Sequence, residues 1–276
     1  MNILDKFNLK DDIAVITGGA GLLGRYHAQA LLDVNCKVII TDINDERLED
    51  AKYFLKKYSN DLMDFKKLDV TNEVNIQSIK DQIITEHGSA PSILINNAAI
   101  DTKVNKDLDF NSSRLENFKL EQWNNELNVG LTGAFLCSKH FGSGMADNKK
   151  GVILNISSDL GIIAPNQNLY SQDHLSNDKQ NVKPITYSVI KHGMIGLTKY
   201  LSTYWVNSNV RCNALAPGGV LDNQSSEFIN KVQELIPMGR MAKLDEYQAA
   251  ILFLCSDASS YMNGAVLSID GGRSAW

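Results

Sequence analysis

The stretch 13-IAVITGGAGLLG-24 decides the fold. An apolar, β-prone run enters a turn with glycines at 18, 19, 21 and 24, and an amphipathic segment follows. A strand, a glycine turn and a helix start together make a phosphate site for a physical reason. The turn exposes backbone N–H groups, and the helix N-terminus adds partial positive charge. Gly18 permits the tight turn, Gly21 lets backbone approach phosphate, and Gly24 lets the helix pack on the strand. The helix is expected to begin at Leu22, with the Leu22 side chain packed inward and its N–H facing phosphate. Glycine turns after strands also serve as plain turns, so this stretch alone does not choose a function.

Working outward, strand-like runs at 13–17, 37–41, 64–69, 92–97, 151–157, 209–215 and 265–270 alternate with helical patterns. The latter lie near 22–34, 45–58, 72–87, 121–146, 187–206 and 243–256. Strands apolar throughout and separated by helices predict a parallel sheet covered on both faces. Right-handed crossovers then wind it into a doubly wound α/β fold of Rossmann type, with about seven strands. No repeat or linker divides residues 1–276, which read as one domain. Two polar stretches, 101–120 and 165–183, interrupt the alternation and follow strands at the carboxyl edge, where such folds bind ligands. They read as inserted active-site loops, the second a lid or specificity loop.

Composition bounds the function. The net charge of −5, from 27 basic and 32 acidic residues, argues against a general nucleic-acid binder. No run approaches the ~20 apolar residues of a membrane helix, and no signal-peptide pattern opens the chain. Cys36, Cys137, Cys212 and Cys255 are far apart in apolar surroundings with no C-x-x-C. They read as reduced buried thiols of a cytoplasmic protein, not as a metal site.

The second strand ends at Asp42, 18 residues after Gly24. A carboxylate there accepts hydrogen bonds from an adenosine ribose. It also repels the extra phosphate of NADP, since like charges about 4 Å apart cost on the order of 1 to 4 kcal/mol. Ile43 supplies no compensating cation, so NAD is expected over NADP. The alternative is that Asp42 only caps the next helix.

The chain resembles the short-chain dehydrogenase/reductases of single-domain type. The resemblance rests on TGGAGLLG at 17–24, Asp42, 68-LDV-70, 96-NNAA-99, 155-NISS-158, 187-YSVIK-191, 216-APGGV-220 and 268-SIDGG-272, in family order. It implies a cofactor held by Gly18, Gly21, Leu22, Leu23, Gly24, Asp42 and Ile43, with Asp69 and Val70 beside the adenine. Asn96, Asn97, Ala98 and Ala99 would line the cleft, and Pro217, Gly218, Gly219 and Val220 would approach the nicotinamide. It also implies Ser158, Tyr187 and Lys191 as the catalytic set, the last two also touching cofactor, and a homodimer or homotetramer.

The catalytic part has its own logic. Tyr187 and Lys191, four apart, share a helix face. A free tyrosine has a pKa near 10, and a nearby ammonium favours the phenolate. Tyr187 can then exchange a proton with a substrate oxygen as hydride moves to or from the nicotinamide. Ser158 would orient that oxygen, with Ser157 the weaker candidate. His174 and His192 are alternative acid/base groups, although His192 should turn away from the Lys191 face.

Four departures from the family pattern stand out. Leu22 occupies the usual second-glycine position, giving the G-x-x-G-x-x-G register of the extended, sugar-nucleotide branch. Gly130 occupies the position of the relay Asn before 131-LTG-133, so the relay uses either backbone carbonyl and water or Asn128. Ser158 and Tyr187 are 29 apart, which is where the second insertion lies. Asp222 replaces a threonine after the P-G turn. Together these are similar to a subgroup associated with bacterial flagellin modification and acidic-sugar biosynthesis. The polar loop residues Asn166, Gln167, Asn168, Tyr170, Asp173, Asn177, Asn223 and Gln224 agree with a sugar or other polyol substrate. The expected activity is NAD(H)-dependent interconversion of a secondary alcohol and a ketone of a sugar or other polar polyol, in surface-glycan biosynthesis. The alternatives are a sugar-nucleotide epimerase or dehydratase with tightly bound NAD, and a non-catalytic NAD-binding protein of this fold.

Overall fold

The computed structural model describes residues 2–100, 112–172 and 175–276, together with the backbone but not the side chain of Asn177. Seven strands form one parallel sheet: β1 Ile13–Ile16, β2 Lys37–Asp42, β3 Met63–Lys67, β4 Ile93–Asn96, β5 Gly151–Ile156, β6 Val210–Pro217 and β7 Val266–Ile269. Their spatial order is β3-β2-β1-β4-β5-β6-β7. The order reverses between β1 and β4, which opens a crevice beyond their carboxyl ends.

Helices cover both faces. They are α1 Leu22–Leu32, α2 Asp45–Phe54, α3 Glu73–His87, α4 Leu120–Leu127, α5 Gly133–Asp147, α6 Ile185–Tyr204, α7 Ser226–Gln233 and α8 Gln248–Cys255. Side chains alternate along each strand, so the sheet has two apolar faces. Ala14, Ile16, Val38, Ile40 and Leu154 pack on the α1 and α8 side, with Leu31 and Ile251. Ile13, Val15, Ile39, Leu94 and Ile153 pack on the opposite side, with Ile79, Phe141 and Leu201. Strands buried on both faces are why these segments read as unbroken apolar runs.

The helical pattern expected over 121–146 is interrupted. A π-helical turn, Asn128–Thr132, separates α4 from α5. Such turns are rare and concentrate at functional sites. Helix α7 was not expected, because its eight residues are mostly polar and its apolar side chains serve a small satellite cluster. All four cysteines are free and buried. Burial pushes the thiols of Cys137, Cys212 and Cys255 up to about 12, which leaves them inert.

Candidate active site

The glycine turn is built for close approach. Gly18 has φ +58°, and a Cβ there would lie 2.9 Å from the Ala98 Cα. At Gly24 a Cβ would lie 2.7 Å from the Gly19 Cα. Helix α1 begins at Leu22, as the sequence predicts, with Gly21 as N-cap and no side chain on the first amides. Those amides are free of intrahelical acceptors and suit an anion. Leu22 is only half-buried, and it is Leu23 that packs on the core. The inward packing expected of Leu22 is therefore made one residue later.

Asp42 ends β2 and is buried, and its Oδ1 accepts the Asn44 amide at 3.1 Å. The cap of α2 is Asn44, which accepts the Arg47 amide at 2.9 Å. Helix capping thus accounts for Asn44 and not for Asp42. Ile43 beside it is exposed. Asp69 turns its carboxylate to the Thr71 amide at 2.9 Å, and Val70 is buried. The uncapped amides, the crowded Gly18 and the Asp42 carboxylate fit a nicotinamide dinucleotide.

Asn96 differs from the cleft-lining expectation. Asn96 is sealed inside, donating to Ser138 Oγ at 3.0 Å and Asn155 Oδ1 at 2.8 Å, so it does not line the cleft. Asn97 donates to the Thr17 and Gly18 carbonyls at 3.0 and 2.9 Å and so buttresses the glycine turn. Ala98 is half-buried and Ala99 exposed beside it. After β6, the Gly218 carbonyl accepts the Tyr247 hydroxyl at 2.9 Å and the Gly219 carbonyl accepts the Ala242 amide at 2.9 Å. Pro217 is buried and Val220 is bridged to Ala242, so this turn is held from both sides.

The end of β5 meets α6. Ser157 donates to the Lys191 carbonyl at 2.7 Å, which ties it to the helix backbone. Ser158 is the next hydroxyl, buried, donating to Asp159 Oδ1 at 2.7 Å and accepting the Leu160 amide at 3.2 Å. Burial pushes the Asp159 carboxyl up, against the opposing pull of the Ser158 hydroxyl. Lys191 donates to the Ile156 carbonyl at 2.9 Å, and its Nζ lies 5.7 Å from the centre of the Tyr187 ring. Lys183 places a second ammonium 3.8 Å from the same ring centre. His192 is exposed and bonded to the Ser188 carbonyl at 2.9 Å, away from Lys191.

The relay position has a packing explanation. A Cβ at residue 130 would lie 2.8 Å from Ile190 Cγ2, so Ile190 fills the space where an Asn side chain would begin. Asn128 is exposed. One turn before Gly130, Glu126 is buried; it accepts the Thr186 hydroxyl and, at 2.8 Å, the Gln122 amide. Two rungs thus join this helical segment to α6, Gly130 against Ile190 and Glu126 against Thr186. Gly130→Asn alone is expected to lower stability by about 1–3 kcal/mol through overpacking. Adding Ile190→Ala should recover most of that loss, and urea unfolding of both variants checks it.

The second insertion is held on two sides. Arg114 donates to the Gln180 carbonyl and Val182 donates to Ser113 Oγ, at 3.5 and 3.1 Å. On the other side Lys231 reaches the Ser171 carbonyl at 2.7 Å, and Tyr170 packs on Phe228 with ring centres 5.8 Å apart. Two of the polar loop residues also hold the loops. Gln167 accepts the Lys183 amide at 2.8 Å, and Gln224 binds the Asp222 amide and Val220 carbonyl at 2.7 and 2.8 Å. The 101–111 part of the first insertion, Asp173, His174 and the Asn177 side chain lie outside the described residues. Among the described residues one cluster has metal-ligand chemistry, Asp64, Glu86 and His87. Lys66 already pairs there with Asp64 and Glu86 at 2.9 and 2.7 Å.

The family model for enoyl-(acyl carrier protein) reductases matches residues 19–274. The chain belongs to the short-chain dehydrogenase/reductase family. It is 30% identical over 96% of its length to 98% of the 3-oxoacyl-(acyl-carrier-protein) reductase FabG of Thermotoga maritima. It is 28% identical to the galactitol 2-dehydrogenase of Rhizobium johnstonii, with both chains covered in full. The post-translational flagellin modification protein A of Campylobacter coli is 27% identical over 96% of this chain and 98% of its own. Among solved structures, a gluconate 5-dehydrogenase from Burkholderia cenocepacia in complex with NADP and tartrate has a TM-score of 0.84 at 25% identity, covering 100% of both chains. A short-chain dehydrogenase from Leptospira borgpetersenii with bound NAD+ has 0.82 at 30%, covering 99% of this chain and 96% of its own. Short-chain dehydrogenase/reductases are oxidoreductases that use nicotinamide cofactors, and no described helix of this member is long and apolar enough to cross a membrane.

Proposed function

We propose that the chain is an NAD-dependent dehydrogenase interconverting a secondary alcohol and a ketone on a polar polyol or sugar, in the cytoplasm. The observation that carries this reading is the meeting of β5 with α6. There the Ser157 hydroxyl and the Ile156 carbonyl both bond Lys191, whose ammonium lies 5.7 Å from the Tyr187 ring centre, which supports Ser158, Tyr187 and Lys191 acting together. A nicotinamide cofactor held by the glycine turn and Asp42 would supply the hydride acceptor or donor. Tyr187 exchanges the proton of the substrate hydroxyl through its phenolic oxygen, and Ser158, turning its O–H from Asp159 to the substrate, donates to the same oxygen. Lys191 favours the phenolate and is anchored by the Ile156 carbonyl. The galactitol and gluconate dehydrogenases among its relatives support a polyhydroxylated substrate. The flagellin-modification relative supports a role in surface-glycan synthesis.

Known structures of this fold hold NAD in one case and NADP in another, so Asp42 carries the cofactor choice. NADH is expected to bind at least about fivefold more tightly than NADPH, from the lower end, about 1 kcal/mol, of the like-charge penalty. Asp42→Ser should narrow that ratio. Fluorescence titration with both cofactors checks this, and equal affinities in the unaltered protein would remove Asp42 as the selector. Exposed Phe135 on α5 and Tyr200 and Tyr204 on α6 support pairing of these helices between subunits.

A further inference from the structure

We infer that Lys183 is a second cation of the catalytic tyrosine, acting with Lys191 to hold the Tyr187 hydroxyl in its ionised form. The inference rests on Tyr187 being the proton-transfer group. The two lysines flank Tyr187 four residues to either side, in the pattern K-x-x-x-Y-x-x-x-K. Only Tyr187 and Lys191 lie on α6, which begins at Ile185. Lys183 is the last residue of the second insertion and reaches the ring from outside the helix.

Its ammonium is the nearer of the two, 3.8 Å from the ring centre against 5.7 Å for Lys191. An ammonium this close to an aromatic face is attracted by the ring's negative quadrupole. Ionising the hydroxyl adds a full negative charge to the same ring system, so the attraction grows on deprotonation. An opposite charge within about 4–6 Å lowers an acid's pKa by about 1–3 units. Lys183 is fixed in place rather than free to swing on its backbone, because its amide donates to Gln167 Oε1 at 2.8 Å. Helix α6 has Pro184 as N-cap with no side-chain hydrogen bond, so the segment entering it is steered by such contacts.

Among the described residues, several charged groups around this site are held by partners of their own. From α4, Glu126 is committed to Thr186 and Gln122. From the turn after β5, Asp159 is bonded to Ser158 and the Leu160 amide, and burial raises its carboxyl. Arg273 and Asp270, near the C-terminus, act on Asp159 with opposite signs. His192, the titratable neighbour on α6, faces the Ser188 carbonyl. Arg114, from the first insertion, is engaged by Glu116 at 2.6 Å.

The test needs no substrate. Protein labelled with carbon-13 at tyrosine Cζ is titrated by NMR with and without NAD, and the Tyr187 resonance is assigned by its loss in Tyr187→Phe. Lys183→Met should raise the Tyr187 midpoint by about one pH unit or more, and Lys183→Arg should keep it near the unaltered value. Lys183→Gln serves if the Met variant does not fold. An unchanged midpoint in the neutral variants, or the same rise in Lys183→Arg, would overturn the inference. Undiminished turnover in Tyr187→Phe would instead overturn the assignment of Tyr187, which separates the two failures.

Discussion

Replacing Tyr187 by Phe is expected to lower kcat by about 10²- to 10⁴-fold, the usual contribution of a positioned proton-transfer group. The ring and its packing survive in Phe, as does the ammonium of Lys191 at the Ile156 carbonyl. NADH binding should therefore stay close to that of the unaltered protein, since the glycine turn and Asp42 are untouched. Loss of turnover with cofactor binding retained separates a chemical role from a structural one. Steady-state kinetics and a cofactor titration on the same preparation check it. Equal loss of both would mean that the variant had damaged the site rather than the chemistry.

The second large effect lies away from the reacting atoms. His27, on α1 just past the glycine turn, is fully buried, and neither ring nitrogen has a hydrogen-bond partner among the described residues. Burial lowers its pKa from 6.5 to about 4, with the nearby Asn97 side chain opposing only in part. The unfolded chain therefore binds a proton between these values that the folded protein refuses. Stability contributed by keeping His27 neutral is complete above pH 6.5 and is lost as pH falls toward 4. The loss amounts to about 3 kcal/mol at 1.36 kcal/mol per pKa unit. Urea unfolding across this range should show the decline, and His27→Leu should flatten that part of it. An unchanged slope in the Leu variant would assign the decline to other groups.

Much of the fold is legible in the sequence because burial on both faces leaves a simple mark. All seven expected strands form, within a few residues of the expected bounds, and the switch point falls between β4 and β1, whose carboxyl end carries the glycine turn. The π-helical turn at Asn128–Thr132 left no mark, because its residues keep a helical pattern and differ only in hydrogen-bond register. In the site, Asp42 and the Tyr187–Lys191 pair follow from position and spacing. Asn96 was misread because it ends β4 beside the cleft, and only packing tells an interior amide from one facing outward. Gly130 read as a missing residue, yet the explanation is Ile190, 60 positions later. Glu126, Asp159 and Lys183 carried no motif. Their roles depend on contacts between elements.

The central claim is hydride exchange between NAD and a polyol hydroxyl, with Tyr187 moving the proton. It is tested most directly by following NADH formation when the purified protein is given NAD and a panel containing galactitol, threitol and gluconate. The account predicts substrate-dependent NADH formation with at least one polyol, nearly abolished in Tyr187→Phe and weaker with NADP. No reduction of either cofactor by any polyol in the panel, or equal rates in the Phe variant, would contradict it.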